Sequence, residues 1–198
     1  MIFEEKQLSL LRERIKSVLS PFRYKHTLGV EKMAVRLAEI YCPEKESLLR
    51  AAALLHDLTK EKRFEEQIEI FECHGVTPTE EQLSVAPTLH AFTAPLIIPE
   101  EYTEFACDEL LDAIRYHSTG RADMTLSEKI IFLSDYIEEN YRSSLNKVKK
   151  LLDEDMDKAE RSDFITRVSN EVDDETFNIL ADFFLSEKSK DEWLGGIA

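Results

Sequence analysis

Apolar side chains recur along this chain at intervals of three and four residues, segment after segment, while alternation at every second position is scarce. That spacing is the angular repeat of an α-helix, whereas a half-buried strand alternates. Only 5 glycines and 6 prolines punctuate the 198 residues, too few turn formers for a many-stranded sheet. An all-α fold is therefore expected, a helical bundle forming one domain over 1–198. The length suits one sizeable core and falls short of a comfortable two-domain protein.

The stripes place the elements. Leu8, Leu11, Ile15 and Val18 form the first, stopped by Ser20-Pro21, and Phe22, His26, Val30, Met33, Leu37 and Tyr41 form the second, ended by Cys42-Pro43. A third helix is expected from about Glu46 to Asp57, carrying Leu48, Ala51, Ala52 and Leu55, then one on Phe64, Ile68 and Phe71 closed by Gly75. Pro87 is expected to open a short helix bearing His90, Ala94 and Ile97, and Leu110, Ile114 and His117 mark another that ends at Thr119-Gly120. Thr125-Leu-Ser-Glu128 has the form of a capping box, so a helix should begin at Leu126 and carry Ile131 and Asp135. The part after residue 140 also reads helical, on Leu145, Val148 and Leu152 and then on Phe177, Leu180 and Phe184.

Charge and cysteine usage bound the function. A net charge of -15 argues against nucleic acid and anionic membranes as partners, since there is no excess of cations to displace counterions. A small anionic substrate remains compatible if cations or metals are concentrated locally. No apolar stretch approaches the roughly 20 residues that cross a bilayer, and the acidic start "MIFEEKQLSL" lacks the form of a secretory signal, so a cytoplasmic location is expected. Cys42, Cys73 and Cys107 are odd in number and widely spaced, which suggests buried or half-buried small hydrophobes rather than a disulfide framework.

Chemistry concentrates in "AAALLHDLTK", Ala51 to Lys60, where a helix built for burial runs into His56-Asp57. A buried carboxylate without a counter-charge costs several kcal/mol. A divalent cation held also by His26 and Asp135 would remove that cost, and imidazole with carboxylate suits iron, manganese or zinc. His26, His90 and His117 also sit on inward faces. Each alone is more often a satisfied core histidine, and Asp135 alone is often a partner for an arginine or a helix N-terminus; the joint occurrence carries the metal reading. His74 differs, standing at a helix C-terminus where a cationic side chain suits the dipole. For base stacking, Phe92, Tyr102 and Tyr116 are the candidates, each with a core reading beside it.

The order His26 … His56-Asp57 … His90 … His117 … Asp135 resembles the HD-domain superfamily of metal-dependent phosphohydrolases. The strings "RYKHTLGVEKMAVRLAEIY", "AALLHDLTK" and "AIRYHSTGRADMTLSEKIIFLSDYIEEN" are similar to its YqeK branch, the bacterial symmetrical diadenosine tetraphosphate hydrolases, with the likeness covering residues 21–140. The resemblance implies a two-metal site, iron foremost, with manganese or another transition metal as the variant. His26, His56, Asp57 and Asp135 would form its inner set, Asp57 would bridge, and His90 and His117 would hold the second ion. It implies catalytic roles for Asp57 and Lys60 and substrate contacts from Arg23, Lys60, Thr119, Gly120 and Arg121. Two departures stand out. Ala91 follows His90 where the family favours glycine, and Arg142 lies one position beyond the place of the family's next arginine, a further substrate contact.

The activity so implied is cleavage of diadenosine tetraphosphate to two ADP by a metal-activated hydroxide. A dinucleoside polyphosphate or ADP would be the small-molecule partner, and the chain would act as monomer or homodimer. Two other readings stay open: an HD-type nucleotide phosphatase or cyclic-nucleotide phosphodiesterase, and a metal-bound nucleotide sensor without turnover.

Overall fold

Ser20 and Pro21 mark the first corner of the molecule. In the computed structural model, which describes residues 3–138, α1 (Glu5–Val18) ends two residues before α2 (Pro21–Tyr41) begins. Pro21 stands in the first helical turn, where its missing N–H removes nothing, and the Ser20 hydroxyl accepts from the Arg23 backbone N–H at 3.2 Å. Six further helices follow: α3 (Glu46–Leu55), α4 (Phe64–Cys73), α5 (Glu80–Ser84), α6 (Leu89–Glu101), α7 (Asp108–Arg115) and α8, which covers 126–138 of the described residues. No strand occurs among the described residues, so the fold is all-α. None of the described helices is long and apolar enough to cross a membrane.

The architecture is organised around α3. Leu48, Leu49 and every residue from Ala51 to Leu55 are buried, an apolar surface all the way round that only a central helix can satisfy. α1, α2 and α7 pack against it, and α6 lies against α4 and α7. Small residues allow close approach, with Ala34 and Ala38 of α2 and Ala51, Ala52 and Ala53 of α3 fully buried. The chain divides into two compact units at Asp135-Tyr136, and the first, Met1–Asp135, contains all the elements that build the site described below.

Several expectations are corrected at element ends. Val18 and Phe22 are 54% and 68% exposed, because each sits at a helix end where the stripe has turned past the core. α3 stops at Leu55, two residues short of the expected Asp57, and residues 56–62 continue as successive tight turns: Leu58 N–H donates to the Leu55 carbonyl, Lys60 to Asp57 and Lys62 to Thr59. Pro87 lies in a 3₁₀ turn, Ala86–Thr88, and α6 proper starts at Leu89 and runs through Pro95 and Pro99 to Glu101. Leu89, Ala94, Ile97 and Ile98 bury enough surface to offset the missing N–H donors. α7 ends at Arg115, before His117, and α5 was not foreseen. Cys73 is exposed, whereas Cys42 is buried and Cys107 half-buried.

The capping box at α8 forms as expected. Glu128 N–H donates to Thr125 Oγ1 at 3.3 Å and Thr125 N–H to Glu128 Oε2 at 3.2 Å. His74 caps the C-terminus of α4, its Nδ1 donating to the Ile70 carbonyl at 2.7 Å. The expected helices after residue 140, together with Arg142, lie outside the described residues.

Candidate metal centre

Five elements deliver polar side chains to one point on the core. α2 contributes Arg23 and His26 from its first two turns, the turns after α3 contribute His56, Asp57 and Lys60, and the first turn of α6 contributes His90. The turn after α7 contributes His117, and α8 contributes Asp135. Adjacent residues of a continuous helix point about 100° apart, so the break of α3 at Leu55 is what lets His56 and Asp57 face the same space.

The geometry is close. His26 Nε2 lies 3.0 Å from Asp135 Oδ1 and 3.5 Å from Asp57 Oδ2, and His56 Nε2 lies 3.4 Å from Asp57 Oδ2 and 3.7 Å from Asp135 Oδ1. On the other side, His90 Nε2 is 3.2 Å from Asp57 Oδ1 and 3.1 Å from His117 Nε2. The two oxygens of Asp57 thus face two different groups of histidines. Three sets of donor atoms lie within metal-binding reach: His26, His56 and Asp57; His56, His117 and Asp135; and Asp57, His90 and His117. All four imidazoles are buried. They meet edge to face in series, His26–His56 at 5.4 Å, His56–His117 at 5.0 Å and His117–His90 at 5.0 Å between ring centres.

One device orients three of the rings. His56 Nδ1 reaches the Ala53 carbonyl at 2.6 Å, His90 Nδ1 the Pro87 carbonyl at 3.0 Å and His117 Nδ1 the Ile114 carbonyl at 2.6 Å, each three residues upstream. A carbonyl can only accept, so each Nδ1 carries a proton; Nε2 of His90 and His117 then presents a lone pair to the centre, and Nε2 of His56 does so once it gives up its proton.

Those lone pairs decide whether a cation fits. His56 Nε2 and Asp135 Oδ1 are buried without a hydrogen-bond partner among the described residues. The Nε2 atoms of His90 and His117 face each other at 3.1 Å. Two lone pairs and a carboxylate oxygen have nothing to give one another; a cation satisfies all of them. The electrostatics agree. Burial works against a charge on His56, yet the Asp57 and Asp135 carboxylates beside it hold its pKa up to about 10. Burial would raise both carboxyls, but His56 for Asp57, and His26 and His56 for Asp135, hold them well below the usual range. Burial, then the neighbouring His117, pushes His90 down to about 2; burial, then His56, pushes His117 down to about 4. The pocket therefore demands positive charge between the two carboxylates and keeps neutral rings around it. Four imidazoles and two carboxylates fit a transition metal.

The expected substrate contacts are placed as follows. Arg23 Nη1 donates to Asp57 Oδ2 at 2.8 Å, and its Nε is buried without a hydrogen-bond partner among the described residues. Lys60 Nζ donates to the Pro87 carbonyl at 3.3 Å and lies 3.4 Å from both ring nitrogens of His90. Thr119 is exposed, its hydroxyl donating to the Gly120 carbonyl at 3.2 Å, and Gly120 takes a φ of +63°, which favours glycine. Arg121 lies over the Tyr116 ring at 4.4 Å, with its guanidinium fork on Glu128 at 3.0 and 2.6 Å, so the two donors that suit a phosphate already hold a carboxylate. Tyr102, a stacking candidate, is core: it is buried beneath Arg14.

Two features went unread in the sequence. Ser118 Oγ lies 3.0 Å from His117 Nε2 and 3.3 Å from His90 Nε2; only the signal that α7 ends before His117 could have turned it inward. Behind the pocket a buried polar chain ties the α3–α4 turns to α6. The Thr59 hydroxyl donates to the His90 carbonyl at 3.2 Å and lies 2.8 Å from Thr93 Oγ1, and Gln67 lies 3.3 Å from Thr93.

Residues 23–140 match the family model described as HD domain. The chain belongs to the HD-domain family. This HD domain is 35% identical over 147 residues to the protein named bis(5'-nucleosyl)-tetraphosphatase, symmetrical, of Bacillus subtilis (strain 168), covering 73% of this chain and 77% of that one. A protein of the same name from Staphylococcus aureus (strain NCTC 8325 / PS 47) is 36% identical over 135 residues, covering 68% and 66%. A crystal structure from Clostridium acetobutylicum, described as a "predicted HD superfamily hydrolase involved in NAD metabolism", superposes with a TM-score of 0.60 at 29% identity, covering 78% of this chain and 86% of that one. Family and donor cluster together make the chain a metal-dependent phosphohydrolase.

Proposed function

We propose that the chain hydrolyses diadenosine tetraphosphate symmetrically, releasing two molecules of ADP, at a site for two transition-metal ions, iron foremost. One observation carries the two-metal reading: Asp57 turns Oδ2 toward His26 and His56 and Oδ1 toward His90. His26, His56, Asp57 and Asp135 would hold one ion, and Asp57, His90 and His117 the other. Such a pair, when bound, supplies Lewis acidity and lowers the pKa of water from about 15.7 toward about 7.

The remaining work falls to the chain's own residues. Phosphoanhydride cleavage needs positioning and charge stabilisation more than covalent help from protein. Arg23 is anchored by Asp57 at the pocket wall, and its buried Nε is a donor with no other partner among the described residues, so a phosphoryl oxygen would complete it. Lys60, held over His90, adds a second positive charge on the opposite side. The leaving group is a phosphate oxygen, stable as an anion at neutral pH, so no general acid is required. The choice of a symmetrical dinucleotide rests on the names of the relatives.

The test is chromatography of the products after anaerobic incubation of iron-loaded protein with diadenosine tetraphosphate. ADP as the sole nucleotide product is expected. ATP with AMP, or intact dinucleotide, overturns the proposal; phosphate released from mononucleotides, or a linear product from a cyclic nucleotide, would reassign the same centre.

A further inference from the structure

The hydroxyl of Ser118 occupies a position that the six donors leave unexplained. Its Oγ, His117 Nε2 and His90 Nε2 form a triangle with edges of 3.0, 3.3 and 3.1 Å. Donors held about 2.1 Å from one ion at right angles to each other lie about 3.0 Å apart. The triangle therefore has the size of one face of a coordination octahedron. Asp57 Oδ1, 3.2 Å from His90 Nε2, adds a neighbouring vertex at the same spacing.

Proton counting favours a cation over an internal hydrogen bond. Both imidazoles spend their Nδ1 protons on backbone carbonyls, His90 on Pro87 and His117 on Ile114. The triangle then holds two nitrogen lone pairs and one hydroxyl with a single proton. That proton can serve one nitrogen; Lys60 Nζ, at 3.4 Å from both ring nitrogens of His90, lies over the ring rather than along the Nε2 lone pair, so the two nitrogens still face each other at 3.1 Å. An ion above the face satisfies both nitrogens and takes a lone pair of Oγ, leaving the hydroxyl proton to point outward.

On this basis, and resting on the two-metal reading above, we infer that Ser118 is a further ligand: its Oγ completes a face with His90 and His117 around the second ion. Ser118 follows His117 directly, and both reach the same ion because the chain has left α7 at Arg115 and turned.

The test titrates Co²⁺ alone into chelator-stripped full-length protein, following heat and absorbance. The wild type takes two ions in separable steps. Ser118→Ala weakens one step tenfold or more and leaves the other unchanged, and Ser118→Thr, which keeps the hydroxyl, restores it. Ser118→Cys places a thiolate at the same vertex, so its cobalt form gains a sulfur-to-metal charge-transfer band in the near ultraviolet. The wild type, carrying Cys42, Cys73 and Cys107, is the spectral blank. Two unchanged steps in Ser118→Ala, or a two-ion Ser118→Cys protein without the band, overturn the assignment while leaving the two-metal centre intact. A wild type that takes one ion overturns both.

Discussion

At the scale of single residues, the centre is defined by where protons can and cannot go. His56 in the metal-free pocket has a pKa near 10 against an ordinary 6.5, so its contribution to stability is present below pH 6.5 and lost as pH rises toward 10. His90 and His117 act in the opposite sense: their folded values of about 2 and about 4 lie below 6.5, so stability falls as pH drops below 6.5 and the unfolded chain takes up protons the folded one refuses. Chelator-treated protein should therefore melt highest near pH 6.5. Metal loading should remove the alkaline decline, because the ion replaces the His56 proton. Thermal melts across pH 4–10 with and without metal check this, and an alkaline decline that survives loading would contradict it. His117→Ala should lower the metal content of anaerobically purified protein from about two ions to about one, read by elemental analysis.

Among elements, the corner at Ser20 and the turns after α3 set the geometry of the pocket. Ser20 caps α2 one turn ahead of Arg23, and its hydroxyl and backbone N–H also bond Glu61 in the α3–α4 turns, at 2.5 and 2.7 Å. Ser20→Ala should cost about 0.5–2 kcal/mol from the lost cap alone, measured by urea denaturation. Because the same link ties the start of α2, which carries Arg23, to the turns that carry Lys60, KM for the nucleotide should rise while the metal count stays at the wild-type value. At the heart of the bundle, Leu54 is fully buried on α3, and Leu54→Ala should destabilise by about 2–5 kcal/mol in the same assay. The break of α3 at Leu55 was invisible to periodicity. "LLHDL" continues an apolar stripe, and what ends the helix is the packing of the following turns against α6 through Thr59 and Thr93.

For the molecule as a whole, the chain carries a net charge of -15, and the substrate proposed for it is itself a polyanion. Long-range repulsion from the surface should slow encounter at low salt, and screening should relieve it, since the Debye length shortens from about 30 Å at 0.01 M to about 8 Å at 0.15 M. KM for a dinucleoside polyphosphate should accordingly fall as ionic strength rises over that range, opposite to the behaviour of electrostatically steered enzymes. Stopped-time assays in NaCl read this directly, and a KM that climbs with salt would show that Arg23 and Lys60 dominate the approach.

Every described helix but α5, the order of the helices and the inward faces of His26 and His90 were readable from the sequence, because a 3.6-residue period reports which side of an element meets the core. The capping box before α8 was equally legible, being a local contact between residues three apart. What the tertiary structure alone decided is where elements stop and which polar atoms meet. Val18 and Phe22 fell on the exposed side of helix ends, the fork of Arg121 was taken by Glu128, and Ser118 turned toward His90. Periodicity is a property of one element, but a helix end and a converging cluster depend on neighbours distant in the chain, whose positions exist only once the core has packed.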